Sequence, residues 1–235
     1  FVRNDSYLAW YVFNSDNVYQ DIVEKISIFL KNDQNYNFID IGANIGLLAL
    51  AFLRKNKNIK NCYLVEPDED NFFCIKNNLL NYENVYISNF ALDSHDGEKK
   101  LFVDKNNKGN LSFNREMMRL KDDKLNFLND ENDFIFTKCK KTENFFNEIN
   151  NDLKNIIKID VQGYDEIIFQ EIPSVTLKNT EALIIEITPL HTKKIDFEKF
   201  DKKLSCFKRF TNFEGKEYTQ NDIISLTKIK TGKSF

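Results

Sequence analysis

The residues with the clearest chemical meaning lie in one short run, Asp40-Ile41-Gly42-Ala43-Asn44-Ile45-Gly46, which follows an apolar stretch and precedes a Leu/Ala-rich one. Glycines at 42 and 46 let a chain turn tightly and let its backbone come close to a ligand. The spacing is GxxxG, not the GxGxxG of dinucleotide binders. Asn44 stands where the middle glycine would make room for a pyrophosphate, so the turn suits a ligand without a diphosphate. The Gly-Lys-Ser/Thr ending of a nucleotide-triphosphate loop is also missing. Glu66 lies 20 residues past Gly46 at the end of the next apolar run, and Pro67 stops strand pairing there. A carboxylate at that point can accept both hydroxyls of a ribose. Asp40, beside the turn, suits an ammonium or sulfonium group. Together these residues describe a site for a nucleoside with a cationic or zwitterionic tail.

The elements that must hold these residues can be read from hydrophobic periodicity. Ile22, Val23, Ile26, Phe29 and Leu30 share one face of an opening helix. Asn37–Ile41 and Cys62–Val65 read as strands, each followed by a helix, Leu47–Leu53 and Glu69–Leu80; Asn84–Ser88 is a third strand. The alternation then breaks. Phe90–Asp93 and Leu101–Val103 flank Asp96-Gly97, which reads as a hairpin turn. Residues 106–133 are polar and too long for an ordinary loop, so they read as an insertion or lid, closed by a strand at Phe134–Phe136. Alternation resumes with helix Thr142–Ile149, strand Asn155–Asp160, helix Tyr164–Gln170, strand Ala182–Ile187 and helix Asp196–Leu204. Strand-like runs at Cys206–Phe213 and Asp222–Lys228 close the chain around Glu214-Gly215-Lys216. This pattern predicts one α/β domain over residues 1–235 with helices on both faces of a doubly wound, mostly parallel sheet. That sheet ends in an antiparallel strand, and residues 1–36 form a helical extension.

Composition narrows the classes. Thirty-three Lys+Arg against 36 Asp+Glu leave a formal charge of −3, which argues against a dedicated nucleic-acid or anionic-membrane binder. With 22 Phe and 9 Tyr, the chain has the apolar volume for a real core. No apolar run is long enough to span a bilayer. Cys62, Cys74, Cys139 and Cys206 form no CxxC pair and read as reduced, buried thiols of a cytoplasmic protein. The chain opens on Phe1 rather than Met, so it reads as trimmed or as a piece of something longer.

At Phe38–Gly46, Val65-Glu-Pro-Asp68, Ala91-Leu-Asp-Ser94 with Gly97, Lys158-Ile-Asp-Val-Gln-Gly-Tyr164 and Leu183–Ile187, the chain resembles the class I S-adenosylmethionine-dependent methyltransferases, in particular the FkbM group. The resemblance runs from about residue 12 to about residue 190. It implies a Rossmann-like, seven-stranded sheet and S-adenosyl-L-methionine as methyl donor. It also implies O-methylation of a sugar, a glycan of capsule or O-antigen type, or a natural product, with the acceptor free or carried on a nucleotide or lipid. By position, Asp40, Gly42, Asn44 and Gly46 would line the methionine part and Glu66 would hold the ribose. Asn89, Phe90 and Ala91 would border the adenine, and Asp160 would face the donor methyl. The family usually has Glu where this chain has Gln162, which leaves a positioning role there better supported than proton transfer.

Methyl transfer to a hydroxyl is helped by a general base within hydrogen-bond reach. Asp160 and Glu186 sit at or near carboxyl ends of neighbouring predicted strands, where open α/β sheets bind ligands. His191, in the loop beyond, has a suitable ordinary pKa. Asp160 and Glu186 are two plausible oxygen ligands for Mg²⁺ or Ca²⁺ but not a full set, so no metal site is assigned. Tyr7, Trp10, Tyr11 and Phe13 could cap the site, and Arg115 with Arg119 could grip an anionic acceptor; a core role and a solvated face are the simpler readings of the two groups. The competing functions are a methyltransferase of RNA or protein, a nucleoside-binding module without turnover, and a nicotinamide-dependent enzyme. The first lacks an Asn/Asp-Pro-Pro-aromatic run after the fourth strand, and the last lacks the middle glycine.

Overall fold

The computed structural model describes residues 19–103, 111–114, 134–188 and 195–228. Its centre is strand β1 (Tyr36–Ile41), six residues buried along their whole length. Parallel partners flank it: β2 (Ile59–Val65) and then β3 (Val85–Ser88) on one side, β8 (Lys154–Ile159) and then β9 (Thr180–Ile185) on the other. The sheet order is β3-β2-β1-β8-β9. Among the described residues the central sheet therefore has five strands, all parallel, where seven with an antiparallel last strand are expected.

Alternation along β1 decides which helices lie where. Phe38 faces a cluster built from α1 (Gln20–Ser27), α2 (Leu47–Lys55) and α3 (Glu69–Asn78), with Phe52 4.4 Å from it, ring centroid to centroid. Ile39 and Ile41 belong to the other cluster, with Phe145 and Phe146 of α4 (Thr142–Asn147) and Ile167 and Phe169 of α5 (Asp165–Glu171). Leu177 of α6 (Ser174–Lys178) and Phe200 of α7 (Phe197–Leu204) complete it. Two-sided burial is what a parallel sheet requires. At the amino ends of the strands an asparagine ladder ties three of them together. Asn61 donates to Asn37 at 2.9 Å, and Asn37 donates to Asn155 at 3.0 Å.

A second sheet of four strands runs β4-β7-β5-β6. The expected hairpin at Asp96-Gly97 does not form. β4 (Ala91–Asp93) and β5 (Gly97–Val103) both pair with β7 (Phe134–Lys141), one parallel and one antiparallel, so β7 lies between them. The Asp96 carboxylate accepts from Lys141 N at 2.7 Å and Asn144 Nδ2 at 3.3 Å, tying the turn to the start of α4. Within the expected 106–133 insertion the described residues are 111–114, which include β6 (Leu111–Ser112).

The close of the chain is also corrected. A hairpin does form around Gly215, between β10 (Phe210–Thr211) and β11 (Glu217–Tyr218). Asp222–Lys228, however, is not a strand but part of α8 (Gln220–Lys228). Thr219 and Asp222 exchange bonds, Thr219 N to Asp222 Oδ2 at 2.8 Å and Asp222 N to Thr219 Oγ1 at 3.1 Å. This reciprocal cap starts a helix. It outweighs the strand-like look of Ile223-Ile224, which pack on the sheet's core instead.

Candidate active site

A cavity of about 490 Å³ opens at the carboxyl ends of β1, β2, β8 and β9, a size usual for small-molecule sites. The β1–α2 turn forms one wall. Gly42, Asn44 and Gly46 all have left-handed backbone, with φ of 80°, 52° and 78°. This successive reversal aims the chain back so that Gly42 N and Ala43 N donate to Val65 O at 3.0 and 3.1 Å. Gly42 is pressed against β8's exit, where a Cβ would stand 2.0 Å from the Asp160 carbonyl oxygen.

Glu66 lines the same cavity and is only 3% exposed. Its Oε2 accepts from Asn44 N at 2.8 Å and its Oε1 from Asp68 N at 3.0 Å. Burial pushes this carboxyl up to about 8, and the backbone donors only partly pull it back. The turn and Glu66 are thus one bonded unit. Asp68 then caps α3, accepting from Asn71 N at 3.0 Å.

Asp40 and Asp160 meet across an ammonium that the sequence reading passed over. Lys158, paired in register with Asp40, brings Nζ to 3.1 Å from Asp40 Oδ1 and 3.6 Å from Asp160 Oδ2, and donates to Gly42 O at 2.9 Å. Burial works against its charge, but Asp40 and Asp160 more than offset it and hold Lys158 above the ordinary lysine range. Burial likewise raises the Asp40 carboxyl, opposed by Lys158. The signal was available: a lysine inside the apolar run Asn155–Ile159, two residues before Asp160.

The loop after β8 presents Asp160 with its side chain 44% exposed. Gln162, itself at φ 55°, donates Nε2 to Asp160 Oδ1 at 2.7 Å. Buried Asp165 holds the loop from beneath, accepting from Val161 N at 3.2 Å and Gly163 N at 3.1 Å. Ser112 of β6 donates to Gln162 O at 2.7 Å, which links the second sheet to the site. Tyr164 continues that link. Its hydroxyl donates to buried Asp93 at 2.8 Å, Lys99 pairs with the same carboxylate, and Phe113 stands edge-on to the Tyr164 ring at 5.2 Å.

Glu186 lines the cavity just past β9. Behind it, buried Glu166 accepts from Thr188 N at 2.7 Å, while its Oε2 has no hydrogen-bond partner among the described residues. Burial raises this carboxyl from 4.5 to about 7. A raised acid resists ionisation in the folded state, so its stabilising contribution is complete below the unfolded value and is lost as pH climbs to about 7. Glu166→Gln is therefore expected to stabilise the protein by about 1–3 kcal/mol at pH 8 and by nothing at pH 4, read by denaturant unfolding at both pH values.

Of the remaining expected residues, Ala91 lines the cavity. Asn89 ties down the end of β2, donating to Glu66 O at 3.0 Å and Pro67 O at 3.2 Å. Phe90 packs against Phe145. His191, Arg115, Arg119 and the aromatic residues at 7–13 lie outside the described residues. No cluster of three or more metal-ligating side chains occurs among the described residues, and no described helix is long and apolar enough to cross a membrane.

A parallel sheet whose first turn and second strand end share one crevice is a Rossmann-like arrangement. Residues 40–214 match the methyltransferase FkbM domain, and the chain belongs to that family; it is a methyltransferase. No curated protein and no solved structure matches the chain.

Proposed function

We propose that the protein transfers a methyl group from S-adenosyl-L-methionine to a hydroxyl of a sugar, glycan or natural product. The observation that carries this is the sharing of one cavity by Gly42, Asn44, Glu66, Asp160 and Glu186; Gly46 instead faces Ile75 and Leu79. The residues fit the donor. Apart from Lys158, the buried Asp40 carboxylate has no hydrogen-bond partner among the described residues, and neither has Asn44 Oδ1. These acceptors suit the ammonium of an amino-acid tail, and Glu66 suits a ribose diol.

When bound, the donor supplies a methyl group already activated on a sulfonium. What is left to the chain is to place the acceptor, exclude water and receive a proton. Asp160 is held by Gln162 on one oxygen and faces Lys158 with the other, so its direction is fixed. It accepts the hydrogen bond of the acceptor hydroxyl, and Glu186, at the carboxyl end of the neighbouring strand β9, supports the acceptor's other side. Tyr164 and Phe113 give the cavity an aromatic wall against which a sugar ring can stack.

Incubation with methyl-labelled donor and a panel of free, nucleotide-linked and lipid-linked sugars tests the reading. Label is expected in a sugar hydroxyl, and donor binding without transfer to any acceptor would favour a module without turnover. Asp160→Asn is expected to lower turnover by about 100-fold or more while lowering donor affinity by no more than about tenfold. Equal losses in both would assign Asp160 to donor binding alone.

A further inference from the structure

We propose that Lys158 sets how the site discriminates between the cationic methyl donor and its neutral thioether product, by limiting the negative charge of the two carboxylates between which it lies. This rests on the S-adenosylmethionine reading of the cavity. A buried lysine one residue from the carboxyl end of a parallel strand, between Ile157 and Ile159, is an expensive choice, since an apolar side chain would satisfy the sheet at no desolvation cost. Its side chain is 11% exposed, and that opening is onto the cavity. Its neighbours are Asp40 from β1, Asp160 from the exit of β8, the Gly42 carbonyl, and Tyr19 at the start of α1.

With both carboxylates ionised, the three charged groups leave one net negative charge at the floor of the cavity, and two without Lys158. A sulfonium is attracted to that charge and a thioether is not. The attraction is felt in the ground state, whereas the donor's charge disperses as the methyl leaves. Extra binding of the cation therefore deepens the ground state without helping the transfer. An ammonium fixed between the carboxylates restrains this excess. Glu66 and Glu186 line the same cavity but are the same in every variant, so their pull on the ligands is common to all the ratios compared.

The test is calorimetric titration of the full chain with S-adenosylmethionine and, separately, S-adenosylhomocysteine. Lys158→Met is expected to raise the ratio of donor to product affinity about tenfold, the scale of one charge acting through partly screened protein at several ångströms. Lys158→Arg should leave the ratio near the wild-type value. The pairs Lys158→Met/Asp160→Asn and Lys158→Met/Asp40→Asn restore the net charge and should both return the ratio to that value. Asp40→Asn and Asp160→Asn alone should lower it. These carry the test if Lys158→Met does not fold. A ratio that ignores net charge across the folded variants overturns the proposal. Wild-type protein that binds neither ligand overturns the donor reading instead.

Discussion

Gly42→Ala is expected to destabilise the protein by about 3 kcal/mol or more and to abolish donor binding with it. Two costs add. At φ 80° an alanine is forced into left-handed backbone, at about 1–2 kcal/mol. The new Cβ would also stand 2.0 Å from the Asp160 carbonyl oxygen and 2.9 Å from its carbon, both of them backbone atoms. That carbonyl cannot yield freely, because Asp160 N is bonded to Ile41 O at 3.0 Å at the end of the β1–β8 ladder. Relief therefore pushes apart the two strand ends that carry Asp40 and Asp160. Gly215→Ala is the control: it shares a positive φ of 84° but meets nothing within 4 Å, so only the backbone cost of about 1–2 kcal/mol applies. Denaturant unfolding of both variants, with donor titration, checks this. Equal losses would show that the close approach at Gly42 does not matter.

Donor affinity is expected to rise about tenfold per pH unit from about pH 6 to about pH 8, then level off, through Glu66. Ribose hydroxyls donate, so they bind the ionised carboxylate best, while burial holds the free protein's Glu66 near 8. Binding below that pH must expel a proton. The ligand-free fold follows the opposite course. Its Glu66 is raised above the unfolded value of 4.5, so the group's contribution to stability is complete below 4.5 and is lost as pH rises to about 8. The free protein thus weakens across the range in which the donor gains affinity. Glu66→Gln should flatten the affinity profile and weaken binding at pH 8 by about 1–3 kcal/mol, the cost of charged hydrogen bonds. Calorimetry in buffers of different ionisation enthalpy reads both the slope and the proton released. A flat wild-type profile, or an undiminished slope in the variant, would contradict the assignment.

The parallel core was legible because its strands are short apolar runs separated by helical periodicity, and the β1–α2 turn because its glycines mark left-handed backbone. The second sheet was not. Asp96-Gly97 looks like a hairpin turn locally, but β7, some forty residues on, intervenes between the two strands. Only a long-range pairing decides that, and local spacing carries no trace of it. The last helix was legible in principle from Thr219 and Asp222, three apart, a signal that the two isoleucines beside it masked. In the site, Asp40, Gly42 and Glu66 were found through their spacing. Lys158 was missed because its meaning lies in a cross-strand neighbour, Asp40, 118 positions away along the chain. Asn89 shows the converse: its place next to the strand end was foreseeable, yet its amide serves the backbone of Glu66 and Pro67.

A structure of the protein with S-adenosylhomocysteine would test the central claim most directly. The expected result is the adenosine in the crevice between the Gly42–Gly46 turn and β2, its two ribose hydroxyls on the Glu66 carboxylate and its amino-acid tail toward Asp40. A ligand bound elsewhere, or a ribose with Glu66 turned away from it, would contradict the account.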